Sequence, residues 1–540
     1  MSVRKFFGFL AFWAAWVASG QQAGFDTIRE DTLRANLTFL ASDGMQGRLS
    51  MQPGDEAAIH WVASEFAKAG LKPAAGGSFL QPVELIEYRA DRARSFVSLK
   101  RGGLEKQWKF PEASGAFPSD VDVTAEVVFA GFGITAPELH YDDYQGIDPR
   151  GKIVLLFDHE PQEANAASVF NGTGNTRYAT TRVKVLNAQA HGAAGVLIVA
   201  EPNRNHLSNQ ERVARIGGAG RRTVPLPLQA LAEDALHTPS AVISDAAAKE
   251  LLAGFSPAEL QAAIDRDLKP QSRALPGAVV TMHFRNASET TGRSYNVAGL
   301  LEGSDPQLGA ETILMSAHHD HDGVSGAEVW HGADDNGSGT VGVVALAHAF
   351  AAAAKAGQRP KRSLLFVVFA SEERGLLGAY FMAAHPLRPL ATTRAMLNFD
   401  MIGRNEEESD QTKGLIEIPA DTTNRLNLIG SLYSPDYRRV VEAKNKQIGL
   451  VLDDRFDREA ALNVFFRSDQ FPFVLHNVPA LWWFTGFHPD YHHTTDTADR
   501  INYVKMAKIL RLAYLTAAEF AGDTAPPKFV ENPAGKQRVN

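Results

Sequence analysis

The sequence predicts an α/β fold: a mixed, mostly parallel central sheet flanked by helices, carrying an inserted β-rich domain. Three observations predict it. Beyond Arg293, continuous apolar runs alternate with Ala- and Val-rich helical stretches, the rhythm of strands buried on both faces. Between 121 and 275 the pattern changes to short β-rich runs separated by Gly, Pro and Asp turns. A chain of 540 residues is also too long for one compact domain.

The elements follow in order. In residues 1–20, Arg4 and Lys5 precede the apolar run Phe6 to Val17, and the small residues Ala18, Ser19 and Gly20 follow. This is the order of a secretory signal peptide, and the run is short against the ~20 residues a membrane span needs. No second apolar stretch of spanning length is expected, so the mature protein should be exported, periplasmic or secreted, without stable membrane insertion after signal cleavage. Residues 24–120 form the first segment of the main domain. There Ile28, Leu33, Leu37 and Leu40 recur at helical spacing, and Ala57 to Leu71 forms a second helix with Gly70 near its end. The insert, 121–275, contributes strands at Glu126 to Ala130, Lys152 to Phe157 and Gly195 to Ala200, with a helix from Thr181 to Ala190. The main domain resumes over 276–523. Its strands are Thr312 to Ala317, Ser363 to Ala370, Arg394 to Phe399 and Ala480 to Phe484; its helices are Gly339 to Ala356 and Tyr503 to Phe520. The Pro-containing tail 524–540 should be loosely held.

Composition narrows the function. Hydrophobic residues make up 44% and charged residues 21%, which fits a soluble, core-forming protein. Lys plus Arg total 54 against 62 Asp plus Glu, a net charge of −8 that argues against nucleic acid as a partner. There is no cysteine, so disulfides, thiolate zinc sites and Cys nucleophiles are excluded, and any metal must be held by His, Asp and Glu.

Ligands of open α/β sheets bind beyond the carboxyl ends of the strands. Here those ends carry His318-His319-Asp320-His321-Asp322, then Asp334-Asp335-Asn336-Gly337, Glu372-Glu373, Asp400 and, late in the chain, Tyr491-His492-His493 with Asp496. Each piece alone reads as a core histidine, a turn, a helix start or a surface pair. Five such pieces at one predicted edge point to a dinuclear metal site. Two Zn²⁺ ions carry four positive charges; Asp335, Glu373, Asp400 and a bridging hydroxide supply four negative ones, and neutral His318 and His492 complete the set. Asp320, two residues along an extended strand from His318, can orient its ring. One of the adjacent pair Glu372 and Glu373 ligates while the other is free to act as general base.

With these residues in view, the chain resembles the secreted zinc aminopeptidase and glutamate carboxypeptidase family of co-catalytic metallopeptidases. Leu40-Ala-Ser-Asp43 with Gly47-Arg48 is similar to that family's N-terminal segment, and Val128 to Val154, with Gly131-Phe-Gly133, Asp142-Asp-Tyr144 and Gly151-Lys152, to its inserted protease-associated domain. The resemblance implies the zinc exopeptidase fold, with His318 and Asp400 on one metal, Glu373 and His492 on the other, and Asp335 bridging. It further implies that Asp320 is the orienting carboxylate, Glu372 the general base and Tyr491 a group that helps stabilise the oxyanion. His493 is the runner-up to His492, and Ser468-Asp469 resembles a conserved helix start near the pocket.

The expected function is metal-dependent exopeptidase hydrolysis, foremost an aminopeptidase releasing N-terminal residues through a di-zinc-bound hydroxide. Its partner is a peptide substrate with a free N-terminus, and cobalt or manganese are alternatives that the same ligands accept. Rival readings are a carboxypeptidase, for which Arg374, Arg404 and Arg467 are candidate cradle residues, then a glutaminyl cyclase, then a non-enzymatic binding protein. Side-chain preference and oligomeric state leave no mark in the sequence.

Overall fold

The computed structural model describes residues 22–208, 211, 225–459 and 462–530. The expected signal peptide, 1–20, and residues 531–540 of the tail lie outside them.

A ten-stranded sheet organises the main domain. Its centre is four parallel strands in the order Ser363–Phe369, Thr312–His318, Thr393–Phe399 and Ala480–Phe484. Apart from Arg394, every residue in these strands is buried, which is why they read as unbroken apolar runs. Outside this centre the main sheet has one further parallel pair among the described residues, Arg425–Ile429 with Val451–Asp453 at its edge. Asn286–Leu301 and Leu80–Ala90 add antiparallel strands on one side, and Arg425–Ile429 runs antiparallel to Ala480–Phe484 on the other. The sheet is therefore mixed, and parallel where helical crossovers return the chain to the same end. Gly339–Lys355 and Leu377–Ala384 are two such crossovers.

One face of the sheet packs against Glu30–Leu40, Pro53–Ala69, Gly339–Lys355 and Tyr503–Phe520 in a large apolar core. Pro at the first helical position and left-handed Gly70 at the end delimit Pro53–Ala69. The helical run 333–355 is apolar and long enough to cross a membrane by length and composition, contrary to the expectation that no further stretch would be. Most of it is buried in this core, where an all-round apolar helix belongs.

The second sheet has eight strands and draws on more sequence than 121–275. Phe96–Arg101, Leu104–Trp108 and Ala113–Gly115 join it from one side of that interval, and Arg273–Phe284 extends it past the other. The physical boundary lies where the chain leaves and re-enters the main sheet. Ala90 and Asn286 are register partners on neighbouring antiparallel strands, so the insert begins and ends at one place. One strand inside the expected interval, Leu228–Leu231, pairs with Leu80–Ala90 and extends the main sheet. Residues 528–530 are also docked rather than loose: Phe529 stacks on Tyr433 at 5.6 Å, and Val530 donates its N–H to the Tyr433 carbonyl.

Phe366 sits at the middle of Ser363–Phe369, fully buried, with the rings of Phe66 and Phe350 each 6.3 Å away. Phe366→Ala should destabilise the main domain by about 3–5 kcal/mol. Urea unfolding followed by tryptophan fluorescence measures this, and a midpoint equal to wild type would show that the centre of the sheet is not the stabilising core.

Candidate metal centre

The carboxyl ends of the four parallel strands bring the predicted residues together. His318 closes Thr312–His318, Glu372 and Glu373 follow Ser363–Phe369, Asp400 follows Thr393–Phe399, and His492 lies in the loop after Ala480–Phe484. His318 Nε2 is 3.6 Å from Asp335 Oδ1 and 3.7 Å from Asp400 Oδ1. His492 Nε2 is 3.1 Å from Asp335 Oδ2 and 3.3 Å from Glu373 Oε2. The two oxygens of Asp335 thus face two separate clusters, each of imidazole and carboxylate. Ligands around a tetrahedral zinc at ~2.0 Å are about 3.3 Å apart, so both spacings fit a bound ion.

Electrostatics points the same way. His318 Nε2 and His492 Nε2 are buried without a hydrogen-bond partner. Burial acts to lower the pKa of His318, but Glu372, Asp320 and Asp400 outweigh it and hold the pKa well above the ordinary value. Burial pushes Glu372 well up, and neighbouring Asp400, Glu373 and Asp469 add to the rise against the opposing pull of His318. Burial likewise raises Glu373 and Asp400. Carboxylates packed this closely in a dry site need cations, and the orphaned imidazole nitrogens show where a divalent ion fits.

The expected role of Asp320 changes in detail. His318 Nδ1 lies 3.2 Å from the main-chain oxygen of Asp320 and 3.7 Å from its carboxylate, so the main-chain oxygen is the ring's hydrogen-bond acceptor. The Asp320 carboxylate instead accepts the backbone N–H groups of Glu372 and Glu373, at 2.9 and 3.2 Å. It positions the Glu-Glu pair. Asp496 does the same for the Asp335 turn by accepting the N–H groups of Asp334 and Asp335. Ser468 donates to Asp400 Oδ2 at 2.6 Å. Asp469 makes no capping bond with its side chain; its carboxyl is fully buried with neither oxygen hydrogen-bonded. Tyr491 lies beside His492, ring centroids 4.1 Å apart, with its hydroxyl 3.4 Å from Arg467 Nη2. His493 points elsewhere, toward the Tyr491 carbonyl.

Two further residues join the site without having been assigned a role from sequence. Asp322 Oδ2 lies 3.1 Å from His492 Nδ1, and His321 Nδ1 is 2.7 Å from Glu373 Oε1. Both stand in the His318–Asp322 run, whose polar density was the only available signal. Arg374 donates to Asp322 at 2.5 Å and Arg404 to Asp490 at 2.8 Å. Backbone at the site is bent to fit: His492 has φ 57° and Met401 φ 56°, left-handed values that non-glycine residues adopt at a cost. At Gly332, φ 55°, a Cβ would lie 2.2 Å from the Asp335 carbonyl oxygen, so only glycine fits.

Comparison with known proteins finds the Peptidase family M28 model over residues 296–517 and the PA domain model over 123–251. A leupeptin-inactivating enzyme of Streptomyces exfoliatus is 35% identical over 128 residues, 24% of this chain and 26% of that protein. A probable aminopeptidase of Saccharomyces cerevisiae is 28% identical over 261 residues, 47% of this chain and 63% of its own. The chain thus spans less than two thirds of the length of either relative. Among solved structures, an aminopeptidase from Aneurinibacillus sp. strain AM-1 matches over 94% of this chain and 97% of its own, with a TM-score of 0.51 and 19% identity, a likeness of fold.

Arg48 ties this region to the N-terminal segment. Fully buried, it donates to the carbonyls of Leu40, His319, His331 and Gly332 at 2.7–2.8 Å. Arg48→Met should cost about 3–5 kcal/mol, because buried carbonyls lose a charged donor. Arg48→Lys should not restore stability, since three ammonium donors cannot span four carbonyls in this fork. Chemical denaturation checks both, and full rescue by Lys would contradict the account.

Proposed function

Proceeding from its membership of peptidase family M28, with an inserted PA domain, we propose that this chain is a zinc aminopeptidase that holds two zinc ions at the Asp335 site. The observation that carries the reading is that the two oxygens of Asp335 face His318 Nε2 and His492 Nε2, each beside a further carboxylate and each buried without a hydrogen-bond partner. His318, Asp335 and Asp400 would hold one ion, and Asp335, Glu373 and His492 the other. When bound, zinc would polarise the scissile carbonyl and lower the pKa of water. Glu372 takes the proton from the attacking water and returns it to the leaving amine; its Oε2 stands 3.7 Å from His318 Nε2. Burial pushes Tyr491 up to about 12, so its hydroxyl keeps a proton at neutral pH and can donate to the developing oxyanion. Asp322 orients His492, and His321 holds the far oxygen of Glu373.

Three arginines bear on the carboxypeptidase alternative. Arg374 is engaged by Asp322 and Arg404 by Asp490, and Arg467 leans toward Tyr491. Arg374 and Arg404 are thereby committed to carboxylates of the protein, whereas Arg467 has no carboxylate partner among the described residues and its Nη1 is buried without a hydrogen bond, so it is the one of the three that could meet a substrate carboxylate. The site is rich in carboxylates, which suits a free α-amino group. From Arg4, Lys5 and the apolar run that follows, the protein is also read as exported; N-terminal sequencing of the mature protein should begin past residue 20, and a start at Met1 would reject export by cleavage.

Four outcomes are expected. Purified protein should contain two zinc ions per chain and hydrolyse aminoacyl amides but not N-blocked peptides, with activity lost to chelator and regained with zinc. One zinc with cyclisation of an N-terminal Gln peptide would favour the cyclase reading instead. Glu372→Gln should keep both zinc ions while kcat falls by about 10²–10⁴; wild-type rates at full metal content would remove Glu372 as the base. Tyr491→Phe should lower kcat by about 10²–10³ with little change in KM. Asp322→Asn should weaken zinc affinity by about 10–100-fold, read by competition with a chromogenic chelator.

A further inference from the structure

A second cluster of metal-capable side chains lies in the inserted domain. It is built like the first, where parallel strands end. Ile153–Phe157 and Gly195–Val199 are neighbours with Phe157 opposite Val199, so His159 and Glu201, each two residues further on, stand side by side beyond the strand ends. Glu163 comes from the turn after His159, and His206 from the loop after Glu201. One ligand atom from each of the four lies within 4.8 Å of all the others.

The spacing is that of ligands around one ion. His159 Nδ1 is 2.9 Å from Glu163 Oε1 and 4.0 Å from Glu201 Oε1. His206 Nε2 is 2.5 Å from Glu163 Oε2 and 3.3 Å from Glu201 Oε1. The two contacts to Glu201 lie at or beyond the ~3.3 Å between ligands of a tetrahedral zinc, while the two to Glu163 are hydrogen bonds that a bound ion would replace and lengthen. The side chains are at most 10% exposed, so the cluster is dry.

The two imidazoles and two carboxylates compensate each other only through shared protons or a shared ion. His206 Nδ1 donates to the Leu207 carbonyl at 2.9 Å, so Nε2, which faces Glu163 and Glu201, either carries a second proton or lies against a bound cation. Protonating both histidines would supply charge, but their rings stack at 4.6 Å and 15°, so two imidazolium cations would lie face to face. Glu201 Oε1, which faces both His159 Nδ1 and His206 Nε2, is buried and makes no hydrogen bond. His159 also holds φ 53°, the left-handed backbone seen at His492. A cleft of about 290 Å³, lined in part by Glu163, Glu201, Asn203 and Asp265, opens onto the carboxylates and gives an ion a way in.

We propose that His159, Glu163, Glu201 and His206 form a structural zinc site in the inserted domain, separate from the Asp335 site. Two carboxylates neutralise the ion's two charges, two neutral imidazoles complete a tetrahedron, and four protein ligands leave no open position for substrate. The ion would fasten the loop carrying His206 to the strand ends. This assignment does not depend on how many ions the Asp335 site holds.

Zinc-loaded full-length protein, freed of unbound metal by gel filtration, can be analysed by plasma mass spectrometry. Wild type should hold one zinc per chain more than Glu163→Gln and one more than His206→Asn, while both variants hydrolyse aminoacyl amides at the wild-type rate. Equal zinc in all three, with activity unchanged, would overturn the site and leave a protonated His–Glu cluster. Should the variants fail to fold, anomalous diffraction at the zinc edge from wild-type crystals decides. A peak between His159 and His206 is expected, and its absence beside a clear peak at Asp335 would refute the proposal.

Discussion

The structure of the main domain is arranged around an excess of buried carboxylate. Asp335, Glu372, Glu373, Asp400 and Asp469 converge within the reach of two imidazoles, His318 and His492, whose inward nitrogens have no partner. Such a concentration of like charge is unstable in a dry pocket without divalent cations. Everything nearby serves to hold these groups in place against their repulsion. Asp320 and Asp496 grip backbone N–H groups, Ser468 grips Asp400, and Asp322 faces the back of His492. The geometry costs stability at the site, and the large apolar core beneath the sheet offsets it.

Position in the fold explains why this cluster forms where it does. At the carboxyl ends of parallel strands, consecutive loops leave the sheet side by side, so residues distant in sequence meet there. The same device recurs in the inserted domain, where two parallel strands carry His159 and Glu201 to matching positions. Two sheets of different topology thus place metal-capable residues by the same means. They differ in completeness: Asp335 is shared between two open clusters, whereas the four side chains of the insert close around a single point.

Charge pairing also bears on which end of a peptide the site can accept. Arg374 and Arg404 would be attractive for a substrate carboxylate if they stood alone. Each is instead bound to a carboxylate of the protein, Asp322 and Asp490. Arg374 reaches His492 only through Asp322, so its charge serves the ligand set and not the substrate. Arg467 differs: it has no carboxylate partner among the described residues, and its Nη2 faces the Tyr491 hydroxyl beside His492.

Several features were determined by the sequence alone. Unbroken apolar runs such as Ser363–Phe369 identify strands buried on both faces, and the polar residues just past them identify the binding edge. The absence of cysteine restricted ligands to His, Asp and Glu, and the helices 181–190 and 503–520 stand where their periodicity puts them. Other features waited for the tertiary structure because they depend on partners distant in the chain. The insert's limits follow from Ala90 meeting Asn286, and Leu228–Leu231 belongs to the main sheet only through its pairing with Leu80–Ala90. Asp322, His321 and Arg48 stand in segments the sequence singles out, but their partners, His492, Glu373 and four loop carbonyls, are set only by the fold. The histidines and glutamates of the insert are spread over 159–206 without a motif, and only the register of two strands turns them into a cluster. Local pattern records which face of an element is buried; it carries no information about which distant side chain will lie across from it.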